Sequence, residues 1–89
     1  MTWAVEWDDR ATKEFRKLDK QLQKDILRYL RERIATDADP RRFGKALSYD
    51  KHGLWRYRIQ DIRLVCRIYD EELLVLVVSA GHRKVIYDI

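Results

Sequence analysis

Apolar and polar positions along this chain change their period twice. From Thr2 to Trp7 they alternate, with Trp3, Val5 and Trp7 on one side and Thr2, Ala4 and Glu6 on the other. That alternation predicts a strand with one buried face. Asp8 and Asp9 end it, and either can cap a helix by accepting its unpaired backbone N–H groups. The period then becomes helical: Ala11, Phe15 and Leu18 fall at i, i+4 and i+7. After a second candidate cap at Asp19, Leu22, Ile26, Leu30 and Ile34 repeat every four residues, flanked by Leu27 and Tyr29. The two segments predict a helical hairpin whose apolar stripe needs a sheet to cover. Pro40 stops the second helix, because the residue before a proline is pushed out of the helical region. Arg41 to Gly53 reads as a basic, glycine-punctuated connection with room for one helical turn before Gly44.

The period changes again at Leu54. In one strand Trp55, Tyr57 and Ile59 share a face, and Arg56 and Arg58 point the other way. In the next, Ile62, Leu64, Cys66 and Ile68 share a face, opposed by Arg63, Val65 and Arg67. With Gln60-Asp61 as the turn, Ile59 pairs with Ile62, Tyr57 with Leu64 and Trp55 with Cys66, so both apolar rows fall on one side. The turn is a poor one, since neither residue favours the positive φ that two-residue hairpins need. Tyr69 to Glu72 is a polar turn, and Leu73 to Val78 is an unbroken apolar run, as in a strand buried on both faces. One of its faces meets the helices. The other, carrying Leu74, Leu76 and Val78, joins Val65 on the arginine side. A chain this short has little left to cover that strip, which points to a protein partner.

The same pairing sets Arg58 across from Arg63, an arrangement that costs roughly 0.2–1 kcal/mol for like charges. Threonine, or lysine set opposite glutamate, would solvate a strand face without that repulsion, so the arginines are read as an anion site. Charge along the chain agrees. Residues 40–69 carry eight basic side chains against two acidic ones, while residues 1–39 balance at nine of each. The net charge of +4 is thus concentrated around the hairpin, an electrostatic footprint for a polyanion.

Composition narrows the class further. The chain is 46% hydrophobic and 38% charged, which is globular rather than disordered, and its length predicts one domain spanning 1–89. No apolar run approaches the roughly 20 residues needed to cross a bilayer, so no membrane role is expected. The first residues are too short and too acidic for a signal peptide. Cys66 is the sole cysteine and shares its parity with the core residues, so it reads as a small buried residue in a cytoplasmic protein. No cofactor is implied: two histidines thirty residues apart and one cysteine give no metal-ligand spacing. Nor is there a glycine-rich phosphate loop or a nucleophile elbow. His52 reads as a solvated loop residue.

Arginine, histidine and tyrosine in the last forty residues suit one reaction class: metal-free cleavage of RNA by its own 2′-OH. That reaction needs a base near the 2′-OH, cations around a pentavalent phosphorane and an acid for the departing 5′-oxygen. Guanidinium groups match phosphate oxygens in shape and charge, histidine titrates near neutrality, and tyrosine stacks on bases or donates a proton.

Three segments carry a resemblance to a known family: Gly53-Leu-Trp-Arg-Tyr-Arg58, Ile62-Arg-Leu-Val65 and Gly81-His-Arg-Lys-Val-Ile-Tyr87. With the order strand, helical hairpin, basic loop and three-strand meander, the chain resembles the RelE/ParE toxin superfamily over essentially its whole length, and its RelE branch most. The resemblance implies an α+β fold with an N-terminal strand, a helical hairpin and an antiparallel three-strand meander, the helices packed on one face of the sheet. It implies a type II toxin that cleaves mRNA in the ribosomal aminoacyl site, with a RelB-like antitoxin as partner and operator DNA reached only through the toxin–antitoxin complex. Arg56 and Arg58 match positions that contact the phosphate and the 2′-OH. Arg63 matches an arginine that stabilises the transition state, Arg83 one near the leaving group, and Tyr87 a tyrosine that stacks on or orients a nucleotide. His82 matches a position that is basic in related toxins. Because arginine stays protonated above pH 12 and cannot readily act as a base, His82 is expected to take more of the proton transfer. Lys45, Lys51, Arg67 and Lys84 are the flanking cations expected to hold RNA, and Val65, Leu74, Leu76 and Val78 the surface expected to meet the antitoxin. With two residues after Tyr87, the C-terminal helix of some relatives is expected to be missing or reduced. The alternatives are a ParE-like inhibitor of DNA gyrase, which needs no nuclease site, and a plain nucleic-acid-binding module.

Overall fold

A computed structural model describes residues 1–47 and 53–82 of the chain. Its elements follow in the order β1 (Ala4–Trp7), α1 (Asp9–Arg16), α2 (Lys20–Tyr29), β2 (Lys45–Ala46), β3 (Leu54–Ile59), β4 (Ile62–Tyr69) and β5 (Leu74–His82). The strands form one sheet in the order β1-β5-β4-β3-β2, with β1 parallel to β5 and the other pairs antiparallel. The two helices pack on this sheet, giving the expected α+β architecture. Both predicted caps form: the Asp8 carboxylate accepts from Ala11 N–H at 2.8 Å and that of Asp19 from Leu22 N–H at 2.9 Å.

The helix stripe is completed by a change of helix type. Residues Leu30–Ile34 form a π-helical turn, closed by the Ala35 N–H donating to the Leu30 carbonyl at 2.7 Å. In an α-helix, four residues overshoot a full turn by about 40°, so a stripe repeating every four residues drifts off the buried face. The wider π-turn reverses that drift. Ile26, Leu30 and Ile34 are accordingly all buried against Tyr57, Leu64, Cys66 and Val75 of the sheet, while Leu27 remains 47% exposed.

The β3–β4 hairpin has the expected register, with Ile59 paired to Ile62, Tyr57 to Leu64, Trp55 to Cys66 and Arg58 to Arg63. The unfavourable Gln60-Asp61 turn forms nonetheless, with Gln60 at a φ of 55°. It is held from outside: the Gln60 amide donates to the Asp25 carboxylate of α2 at 2.7 Å, and the Arg58 Nε–H donates to the Gln60 carbonyl at 3.3 Å.

Two expectations need correction. The connection from Arg41 contains, besides the anticipated helical turn (Pro40–Phe43), a strand: β2 pairs with β3, so the sheet has five strands rather than four. Two residues are too few to display a period. The strip expected to lie open on the arginine side is also partly closed by the chain itself. Val65 is 1% exposed, packed with Leu54, Leu47 and Val78, whereas Leu74, Leu76 and Val78 stay half-buried. Leu54 lies on this face because it shares the parity of Arg56 and Arg58.

Gly44 makes the β2 pairing possible by close approach. A Cβ there would lie 2.9 Å from a Tyr57 ring carbon and 3.0 Å from the Arg56 carbonyl oxygen. The Tyr57 ring cannot retreat, because it is fully buried and its hydroxyl donates to the Pro40 carbonyl at 2.7 Å. Gly44→Ala is expected to lower stability by about 1–3 kcal/mol through overpacking and to loosen β2. Thermal unfolding checks it, and an unchanged melting temperature would remove this role for Gly44.

Candidate nucleic-acid interface

Register places the cations in two rows on the sheet face away from the helices. Lys45 of β2 faces Arg56 of β3, which faces Val65 of β4; one step along, Arg58 faces Arg63, which faces Gly81 of β5. Lys45, Arg56, Arg58 and Arg63 together with Phe43 line a cleft of about 140 Å³. Arg63 is its floor, 7% exposed, whereas Lys45 and Arg58 stand exposed at the rim. Four cations around so small a volume repel one another, and a phosphate between them would convert repulsion into attraction.

Several devices fix this geometry. A bulge at Val65/Cys66 leaves Val78 of β5 without a partner and resets the register that brings Gly81 beside Arg63. Past the end of β1, where β5 loses that neighbour, Glu14 of α1 takes over. Its carboxylate accepts from Ser79 Oγ and from the Ala80 N–H, each at 2.9 Å. On the β2 side, Arg41 clamps the turn before Gly44 to the β4–β5 turn. Its guanidinium donates to both Asp70 oxygens, at 2.9 and 2.6 Å, and lies over the Trp55 ring at 5.7 Å.

The Arg41 hydrogen bonds hold the Asp70 carboxyl below its ordinary value of 3.8. A carboxyl lowered in the folded state stabilises above its unfolded pKa, and that contribution is lost as pH falls through the folded value. The difference in melting temperature between the native chain and Asp70→Asn is therefore expected to shrink below about pH 4. A difference constant from pH 7 to pH 2 would exclude this clamp. The effect is modest, because the pair is exposed and screened.

The structure does not gather every candidate. Arg56, Arg58, Arg63 and Lys45 meet in the cleft. Arg67 is exposed on β4 opposite Leu54 and does not line it. His82 is exposed at the end of β5, but register pairs it with Ile62, a core residue, so it lies on the helix side of the sheet. The period-2 pattern points the other way, since His82 shares parity with Leu74, Leu76 and Val78; the bulge opposite Val65/Cys66 exchanges the two faces of β5 beyond Val78. Lys51, His52, Arg83, Lys84 and Tyr87 lie outside the described residues. Cys66 is buried and its thiol is pushed up by desolvation, which keeps it protonated and unreactive. Sequence reasoning missed Phe43, 39% exposed at the cleft. An aromatic set among the cations Arg41, Arg42 and Lys45 was the available signal.

No curated protein sequence matches the chain. Solved structures do. A toxin–antitoxin complex, RelBE2 from Mycobacterium tuberculosis, contains a chain similar at a TM-score of 0.83 and 24% identity, covering 93% of each chain. A substituted E. coli RelE toxin in the free state is similar at a TM-score of 0.78 and 26% identity, covering 97% of this chain and 88% of that one. The archaeal RelE–RelB complex from Pyrococcus horikoshii is similar at 0.70 and 18% identity, over 93% and 97%. A family model described as the ParE toxin of the type II toxin–antitoxin system, parDE, matches residues 5–87. The chain therefore belongs to the ParE toxin family, within the RelE/ParE superfamily of type II toxins, and its fold is that of the RelE toxins.

Proposed function

We propose that this toxin is an mRNA endonuclease that acts on the ribosome, in the aminoacyl site, by metal-free attack of a 2′-OH on the adjoining phosphodiester. The observation that carries this reading is the cleft in which Arg63 lies beneath Lys45, Arg56 and Arg58. The 2′-oxygen forms a bond to phosphorus, the bond to the 5′-oxygen breaks, and a proton passes from the first oxygen to the second. Negative charge on the phosphorane peaks between these events, and fixed guanidinium donors stabilise that charge more than the ground state. Arginine moves no protons at neutral pH, so proton transfer is assigned to His82 and Tyr87, with Arg83 near the leaving oxygen. Because register puts His82 on the helix side of the sheet, its imidazole would have to reach the 2′-OH at the cleft around the end of β5. Lys45, Lys51, Arg67 and Lys84 would hold flanking phosphates.

Residues 1–89 would act as a single cytoplasmic domain whose partner is a RelB-like antitoxin. Solved relatives in RelB–RelE complexes support that partner, and the half-buried Leu74, Leu76 and Val78 offer it an apolar strip. Val65 would contribute from beneath. The test is growth on induction: alanine at Arg63, Arg83 or Tyr87 relieves arrest while antitoxin binding persists. Full toxicity in all three variants would remove the site assignment.

A second reading is favoured by the family model's own description, which names a ParE toxin. A ParE-like inhibitor of DNA gyrase would bind its target without a nuclease site. DNA-damage signalling with intact mRNA on induction marks that outcome.

A further inference from the structure

Next to the cleft, four side chains alternate ring and guanidinium. The Arg33 guanidinium carbon lies 5.4 Å from the Tyr29 ring centre and 5.2 Å from that of Phe43, and the Arg42 carbon lies 4.6 Å from Phe43. The series starts at half-buried Tyr29, which meets the buried Tyr57 edge-on at 6.3 Å, and ends at exposed Arg42. Its inner members fasten the turn before Gly44 to the end of α2. The outer members are not needed for that. Arg41, one residue earlier, is neutralised by Asp70, whereas Arg42 has no carboxylate partner among the described residues. Phe43 keeps 39% of its surface exposed while also forming a wall of the cationic cleft.

We propose that Phe43 and Arg42 form a stacking platform for one unpaired base of the RNA whose phosphate enters the cleft. The proposal rests on the cleavage reading above. Unpaired bases stack on aromatic rings and on guanidinium planes, and a ring in the wall of a phosphate cleft places such a base within one nucleotide of the bound phosphate. An existing series of ring–cation contacts gains one more layer without rearrangement of the core. Phe43 and Arg42 are thus positioning residues: they set which nucleotide lies at the cleft, and they touch no reacting atom.

The test uses the full chain and short single-stranded RNAs carrying 2-aminopurine at successive positions, at low ionic strength because phosphate attraction is salt-dependent. Fluorescence is expected to be quenched at one position on binding. Phe43→Ala and Arg42→Ala should abolish that quenching and weaken binding by roughly 5- to 100-fold, the range of stacking on a protein side chain, while Phe43→Trp retains both. An RNA abasic at that position should bind the native chain and Phe43→Ala equally. Absence of quenching at every position, no binding of RNA by the native chain, or equal affinity of the native chain and Phe43→Ala for the intact RNA would each overturn the platform. Cleavage on ribosomes without quenching removes the platform alone. Quenching without cleavage keeps the platform and removes the cleavage reading.

Discussion

Arg63→Ala is expected to slow mRNA cleavage by about 10²- to 10³-fold, the usual loss when one preorganised charge donor is removed from a reaction site. The size follows from place. Arg63 is 7% exposed at the floor of the cleft, where water screens its charge least. Arg58, directly opposite on β3, is exposed and held through Nε to the Gln60 carbonyl. Its loss should cost less and depend more on salt. Arg63→Lys keeps the charge but loses the planar fork that grips two phosphate oxygens, so it should fall between the native chain and Arg63→Ala. Single-turnover cleavage, with thermal unfolding as a control for folding, checks the order. Equal losses for Arg58→Ala and Arg63→Ala would contradict a cleft with an inner and an outer cation.

Ile34→Ala is expected to destabilise the fold by about 2–5 kcal/mol, as for other large-to-small changes in a core. At roughly 4–8 °C per kcal/mol for a domain of this size, the melting temperature should drop steeply. Ile34 is 0% exposed only because the π-turn over Leu30–Ile34 brings it back beneath Leu30. Leu27 has equal apolar character in the sequence but is 47% exposed, so Leu27→Ala should cost far less. Comparable losses at the two positions would mean that the helix presents a different face to the sheet.

The elements most legible in the sequence are those whose burial is one-sided. Trp3, Ile26 and the paired rows Tyr57–Leu64 and Trp55–Cys66 follow from period alone, because a slip of one residue would carry a whole row to solvent. What the pattern lacks depends on tertiary contact. β2 exists because Gly44 permits approach to Tyr57, and a strand of two residues has no period to read. The π-turn answers a drift that a four-residue spacing conceals. Leu54 and Leu47 cover Val65, so the partner strip is narrower than a chain of this length suggested. Within the candidate site, the facing of Arg58 and Arg63 was readable from the turn position. The depth of Arg63 was not, since burial there comes from neighbouring strands and from Phe43 across the cleft.

Purified ribosomes programmed with a defined mRNA, incubated with this protein and analysed for RNA ends, test the central claim most directly. The predicted result is a cut within the aminoacyl-site codon that leaves a 2′,3′-cyclic phosphate and a 5′-hydroxyl, lost in Arg63→Ala. Intact mRNA under those conditions, with DNA supercoiling by gyrase blocked by the same preparation, would contradict it.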